Sequence, residues 1–195
     1  MSNTKMKLTG VTTLIVDDDR YGVAILMQIL RGFGLETPVI VDSGAAAQAL
    51  LENHCYDLFI CEAELPDISG ADLVRWIRRL KTPVRFMPIL VLTGYSNTSN
   101  VVALRDSGAH TVVKKPPSPQ ILFDHIEWCA KPPRPFVETD NYVGPDRRFK
   151  SLGPPNGGEG RRETDLSAEI GDAVEPNLSQ AEIDAMVRPT KVFTI

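Results

Sequence analysis

The chain has 195 residues, 21 Lys and Arg against 25 Asp and Glu, a net charge of −4 and 43% apolar residues. A nonspecific nucleic-acid binder needs a basic excess, and neither half supplies one: 12 basic face 14 acidic residues up to residue 130, then 9 face 11. No stretch is apolar over a membrane span, Met1–Lys7 lacks a signal peptide's apolar segment, and Cys55, Cys61 and Cys129 lack zinc-site spacing, so a cytoplasmic protein with reduced thiols is expected.

A strand followed by a helix recurs five times. Strands are predicted near 12–17, 38–41, 57–62, 87–93 and 111–114, and helices near 20–33, 44–53, 71–80, 97–107 and 119–129. The first strand, Thr13–Val16, runs into Asp17, Asp18 and Asp19, and the helix after it carries Val23, Leu26, Met27 and Leu30 on one face. The third strand, Leu58–Cys61, ends in Glu62; Ser69 with Asp72 then forms a capping box. The fourth, Ile89–Leu92, ends in Thr93. The fifth leads through Val112 and Val113 to Lys114, Lys115 and Pro116, and Ser118 before Pro119 fits an N-cap with proline at the first helical position. Alternation at this spacing predicts right-handed crossovers and a doubly wound parallel sheet covered on both faces. Ligands bind such sheets outside the strands' carboxyl ends, which here carry carboxylates, a hydroxyl and an ammonium.

Taken together, "LIVDDD", "LFICEAELPDISG", "ILVLTG" and "VVKKPP" resemble the receiver domain of bacterial two-component response regulators, in its chemotaxis-receiver form, over about two thirds of the chain. The resemblance implies a flavodoxin-like α/β fold with strand order 2-1-3-4-5. It also implies metal-binding acids at Asp17 and Asp18, a phosphoacceptor position at Glu62, a switch hydroxyl at Thr93, and a phosphate-contacting Lys115 whose bond to Pro116 is cis. Two departures stand out. Glu62 replaces the family's aspartate, and Val112 stands where the family commonly carries an aromatic that reports phosphorylation.

With strands one and three adjacent, Asp17, Asp18 and Glu62 share one pocket. Carboxylates so close repel, so a proton or a cation is required there. Their hard oxygens suit Mg²⁺ with retained waters, and Lys115 is a competing cation. In the family the aspartate attacks a phosphohistidine, a step governed by positioning, in which displacements of about 1 Å matter. Glutamate's extra methylene shifts the oxygen by about that distance and carries its charge toward the product phosphate's place, near Lys115 and Thr93. Glu62 is therefore expected to imitate the phosphorylated state; continued phosphate acceptance and an inert pocket stay open.

From Lys131 onward prolines and glycines crowd in and apolar residues thin out, which predicts a domain over 1–130, a disordered linker over 131–177 and a short helix within 178–195. In "YVGPDRRFK" and "GEGRRETD", Arg147, Arg148, Arg161 and Arg162 present forks suited to phosphates and guanine edges. They resemble arginine-rich tails that bind cyclic di-GMP; solvated charge beside Asp146, Glu159, Glu163 and Asp165 is the alternative. "LSQAEIDAMV" has a capping box, Ser179 with Glu182, and an apolar stripe of Leu178, Ile183, Met186 and Val187. Too short to be stable alone, it is expected to fold into a groove. It resembles the N-terminal peptide of the flagellar motor switch protein, which implies docking on the fourth-helix and fifth-strand face of its own domain or of another receiver. The sequence thus predicts a non-enzymatic, stand-alone response regulator acting as an adaptor. Its expected partners are a histidine kinase, another receiver or a flagellar motor component, not DNA or membrane; a cyclic di-GMP effector and a phosphate-accepting receiver are the alternatives.

Overall fold

Short, largely apolar runs stopped by polar or glycine-bearing loops form the strands; four of them are buried on both faces, and the three-residue Val39–Val41 lies exposed at the sheet's edge. The structure is a computed structural model that describes residues 7–130, 135–139, 142–146 and 177–187. Strands β1 (Thr13–Val16), β2 (Val39–Val41), β3 (Leu58–Glu62), β4 (Ile89–Thr93) and β5 (Thr111–Lys114) form one parallel sheet in the order β2-β1-β3-β4-β5. Helices α1 (Arg20–Gly32), α2 (Gly44–Leu51), α3 (Gly70–Arg79), α4 (Thr98–Asp106) and α5 (Pro119–Ala130) connect and follow them, with a 3-10 turn at Pro83–Phe86. This is the flavodoxin-like architecture, and its elements fall within a few residues of the predicted spans.

Alternation along the strands divides the core in two. Leu14, Val16, Phe59, Cys61, Val91 and Val112 face α2, α3 and α4, while Ile15, Ile60, Leu90, Leu92 and Val113 face α1 and α5. α1 buries Leu26, Met27 and Leu30, as its periodicity dictates, and Asp19 caps it by accepting the Tyr21 N–H at 3.0 Å. α2 is capped from afar. Its Ser43 makes no capping bond; instead the Gly44 and Ala45 N–H groups donate to the Asp67 carboxylate at 2.9 and 2.8 Å, tying α2 to the loop after β3.

The expectation of a linker without structure over 131–177 is corrected at its start. β6 (Phe136–Thr139) and β7 (Tyr142–Pro145) pair antiparallel, with Phe136 opposite Pro145 and Thr139 opposite Tyr142. The hairpin needs no core of its own because it borrows the domain's surface. Phe136 packs edge-on against Phe86 at 4.9 Å, and the Arg78 guanidinium lies 5.2 Å from its ring centre. Gly108, at φ 99°, lets β7 close in: a Cβ there would collide with the Val143 carbonyl and lie 3.0 Å from Arg78 Cγ. Arg78 is itself 1% exposed and donates to the carbonyls of Gly108, Arg85 and Met87, with His110 Nδ1 3.0 Å away. The remainder of the predicted linker lies outside the described residues, as do Arg147, Arg148, Arg161 and Arg162.

The last described element is α6 (Gln180–Val187), which packs on β5 and α4. Ile183 and Val187 are buried in the same apolar cluster as Val101, Leu104 and Val112, with Leu178 and Met186 half-buried against it.

Candidate functional site

Adjacency of β1 and β3 brings Asp17 and Glu62 to one edge of the sheet, and both are buried. Asp17 Oδ1 accepts the Asp19 N–H at 2.9 Å, and its Oδ2 accepts from Lys115 Nζ at 2.7 Å. Glu62 Oε1 accepts the Ala63 N–H at 2.9 Å, and its Oε2 pairs with the same ammonium. Lys115 reaches both from the end of β5, just before a cis bond to Pro116. Burial pushes the Glu62 carboxyl above its usual range; the bond and charge of Lys115 pull it back, and Asp17 pushes it up again. Burial disfavours the Lys115 ammonium, but its bonds to Asp17 and Glu62 outweigh that and raise it. Cys61, one residue before Glu62, is pushed well up by burial and by the Glu62 charge, so its thiol is no nucleophile here. Gly70 closes the loop over the pocket: its N–H donates to the Ala63 carbonyl at 2.7 Å, and a Cβ would sit 2.9 Å from Ala63 Cα.

One expectation needs correction. Thr93 stands at the end of β4, but its hydroxyl is spent on its own loop, donating to the Tyr95 carbonyl at 2.9 Å and accepting the Tyr95 N–H at 3.1 Å, while Lys115 and the Ala63 N–H engage Glu62. Of the three acids expected to hold Mg²⁺, Asp17 and Glu62 meet at Lys115. Among the described residues no three His, Cys, Asp or Glu side chains converge to hold a metal ion. Asp18 is exposed and lines, together with Asp17, a cleft of about 700 Å³ that Arg20, Asp42 and Pro66 also border. The Lys115 ammonium stands between Asp17 and Glu62 and offsets part of their negative charge.

The second constellation is the face covered by α6. Ser96, in the loop after β4, exchanges backbone and side-chain bonds with the segment leading into α6: Leu178 N–H to the Ser96 carbonyl at 2.7 Å, Ser96 Oγ to the Leu178 carbonyl at 2.9 Å, and Ser96 N–H to Asn177 Oδ1 at 3.2 Å. Gln180 accepts the Lys114 N–H at 2.6 Å and donates to the Val112 carbonyl at 3.0 Å, so one side-chain amide fits β5 much as a neighbouring strand would. Lys114 Nζ donates to the Leu178 carbonyl at 3.1 Å. Asp184 meets His125 of α5 at 2.9 Å. The apolar stripe was readable from spacing; Asn177, Gln180 and Asp184 were not, because their partners lie on segments 59 to 81 residues away.

The response regulator receiver domain model matches residues 13–127, and the chain belongs to that family. It is 27% identical over 114 residues to the chemotaxis protein CheY of Pseudomonas aeruginosa, covering 58% of this chain and 91% of that relative. Of solved structures, a CheY-like receiver domain protein from Methanospirillum hungatei superposes with a TM-score of 0.54 at 30% identity, over 60% of this chain and 90% of the other. The receiver domain of a sensor histidine kinase from Pseudomonas aeruginosa, solved with magnesium coordinated in its active-site cleft, superposes with a TM-score of 0.57 over 63% and 100% at 22% identity, which shows the shared fold alone. The chain spans only 25% to 47% of the length of longer curated relatives, among them DNA-binding regulators. Among the described residues no helix is long and apolar enough to cross a membrane.

Proposed function

We propose that this receiver domain works as a non-enzymatic cytoplasmic signalling adaptor that takes no phosphate at Glu62 and covers its α4–β5–α5 face with its own α6. The observation that carries the reading is the double engagement of Glu62. One oxygen takes a backbone N–H and the other takes Lys115, so both are already engaged in the geometry the chain adopts, and Lys115 offsets part of the pocket's negative charge from within. The partners that fit such an adaptor are proteins: a histidine kinase, another receiver, or a motor component bearing a helix like α6. Incubation with a small phosphodonor and Mg²⁺ is expected to leave the intact mass unchanged, whereas Glu62→Asp should gain one labile phosphoryl group. Phosphorylation mapped to Glu62 in the unaltered chain overturns the reading.

A second reading concerns the tail. The Asp146 N–H donates to the Pro135 carbonyl at 2.7 Å, which anchors the residue immediately before the first arginine pair. We propose that Arg147, Arg148, Arg161 and Arg162 bind cyclic di-GMP from that anchored start. Calorimetry at low salt should show heat of binding that is lost when Arg147 and Arg148 are both changed to Ala. No heat with the unaltered chain retires this reading and leaves the first untouched.

A further inference from the structure

The two flanks of the sheet are filled differently. α6 lies against β5, whereas β2, at the other end of the strand order, has β1 on one side and no described neighbour on the other. The Val41 carbonyl accepts the Asp17 N–H at 3.1 Å, so Val41 bonds toward β1, and by the alternation of a strand the main-chain N–H and C=O of Ile40 point away from it. Val39 and Ile40 are 39% and 44% exposed. Ile40 also lines, with Val23 of α1, the cleft that Asp18 and Asp42 border. Both acids are exposed, and among the described residues neither makes a hydrogen bond or an ion pair; Arg20 is the one cation on the described wall of the cleft. Unpaired main-chain groups, an apolar floor and surplus negative charge thus lie side by side.

We infer that β2 pairs with residues 191–195 of a second copy of this chain, each copy lending that segment to the other. The segment lies outside the described residues, and its sequence, Lys191, Val192, Phe193, Thr194 and Ile195, sets β-branched and aromatic residues behind a lysine, a composition suited to a strand. Residues 188–195 carry Arg188 and Lys191 and no acid, which complements Asp18 and Asp42. Antiparallel pairing with Phe193 opposite Ile40 sets Lys191 opposite Asp42, and the period of two places both side chains on the face of the cleft. The chain's own segment falls short while α6 is docked. Val187 is buried in one cluster with Val112 of β5. From β5 to β2 is four strand spacings, about 19 Å, whereas the four peptide steps from Val187 to Lys191 reach at most about 14 Å. The pairing goes beyond the adaptor role and rests on the docking of α6 only for this placement. One ladder of so few residues is weak, but in a reciprocal pair the second contact forms within the complex at high effective concentration, so the two-fold pair holds where a lone peptide does not.

Sedimentation of the full chain over a concentration series should read the pair as a doubling of mass, accompanied by slowed hydrogen exchange at the Ile40 N–H. Lys191→Glu sets like charges opposite one another and should weaken the pair on the order of tenfold. Asp42→Lys should do the same, and the two changes together should restore it. A mass that stays that of one chain throughout overturns the pairing: with the Ile40 N–H protected, the chain's own segment has taken the strand, and with it exchanging freely, the strand is left to another protein. A doubled mass that either single variant leaves unchanged overturns it as well. In the Lys191→Glu chain the Lys114 and Ser96 N–H signals report α6 separately. If they match those of Ile183→Asp, the covering of the α4–β5–α5 face fails, while the mass still decides the pairing.

Discussion

Lys115→Ala is expected to destabilise the chain by about 3 kcal/mol near pH 7, the scale of removing one partner from a buried ion pair. The variant leaves Asp17 and Glu62, both buried, facing one another with no countercharge. The loss should depend on pH in a defined direction. Burial already holds the Glu62 carboxyl above its ordinary value, and without Lys115 it rises further. A carboxyl raised by folding is compatible with the native state below its unfolded value and penalises it as pH climbs through the raised one. The deficit should therefore be largest at neutral pH and shrink toward the ordinary glutamate value of about 4.3, where Glu62 takes a proton. Thermal or denaturant unfolding at pH 7 and pH 4.5 measures this. Lys114→Ala is the control: it gives up a single bond to the Leu178 carbonyl and should cost about 1 kcal/mol. Equal losses for the two variants would show that the pocket pair contributes nothing special.

Ile183→Asp should release α6. Ile183 is 0% exposed, and its transfer from water is worth about 1.5–3 kcal/mol, to which the variant adds the cost of burying a carboxylate without a partner. Docking should weaken by at least about 2 kcal/mol, or roughly thirtyfold. A labelled peptide spanning residues 175–195, added in trans, should then bind the Ile183→Asp chain more tightly than the unaltered chain, whose own helix competes. The same peptide carrying Ile183→Asp should bind neither. Equal binding of the unaltered peptide to both chains, or binding to none, would mean that α6 and the face do not recognise one another.

Strands β1, β3, β4 and β5 were legible because they are buried on both faces and so appear as apolar runs, and because each runs into a residue that gives the site its chemistry. Helix boundaries were legible where the cap is local, as at Asp19 and Ser69; the α2 cap was not, since Asp67 reaches it across 23 residues. The β6–β7 hairpin escaped notice because proline and glycine density outweighed a quieter signal, two apolar pairs, Phe136–Val137 and Tyr142–Val143, bracketing the turn-favouring Asp140–Asn141. Arg78 left a trace as well. It stands four residues after Val74 and seven after Ala71, on the buried stripe of α3, where periodicity calls for an apolar side chain. In the pocket, the residues could be read, and so could the meeting of Glu62 with Lys115, but the remaining pairings could not. Composition does not reveal that Thr93 turns back onto Tyr95 or that Lys115 also bonds Asp17, because both depend on rotamers set by the loops around them.

β5 is the last strand of the sheet, with β4 on one side and the Gln180 amide on the other. An uncovered strand edge is a template on which another chain's backbone can add, and proteins protect such edges with charges, bulges or a covering segment. Here a single glutamine side chain takes part in that protection, so departure of α6 bares a border as well as a groove. An edge bared in this way is the kind on which strand addition occurs, and α6 shields part of it here.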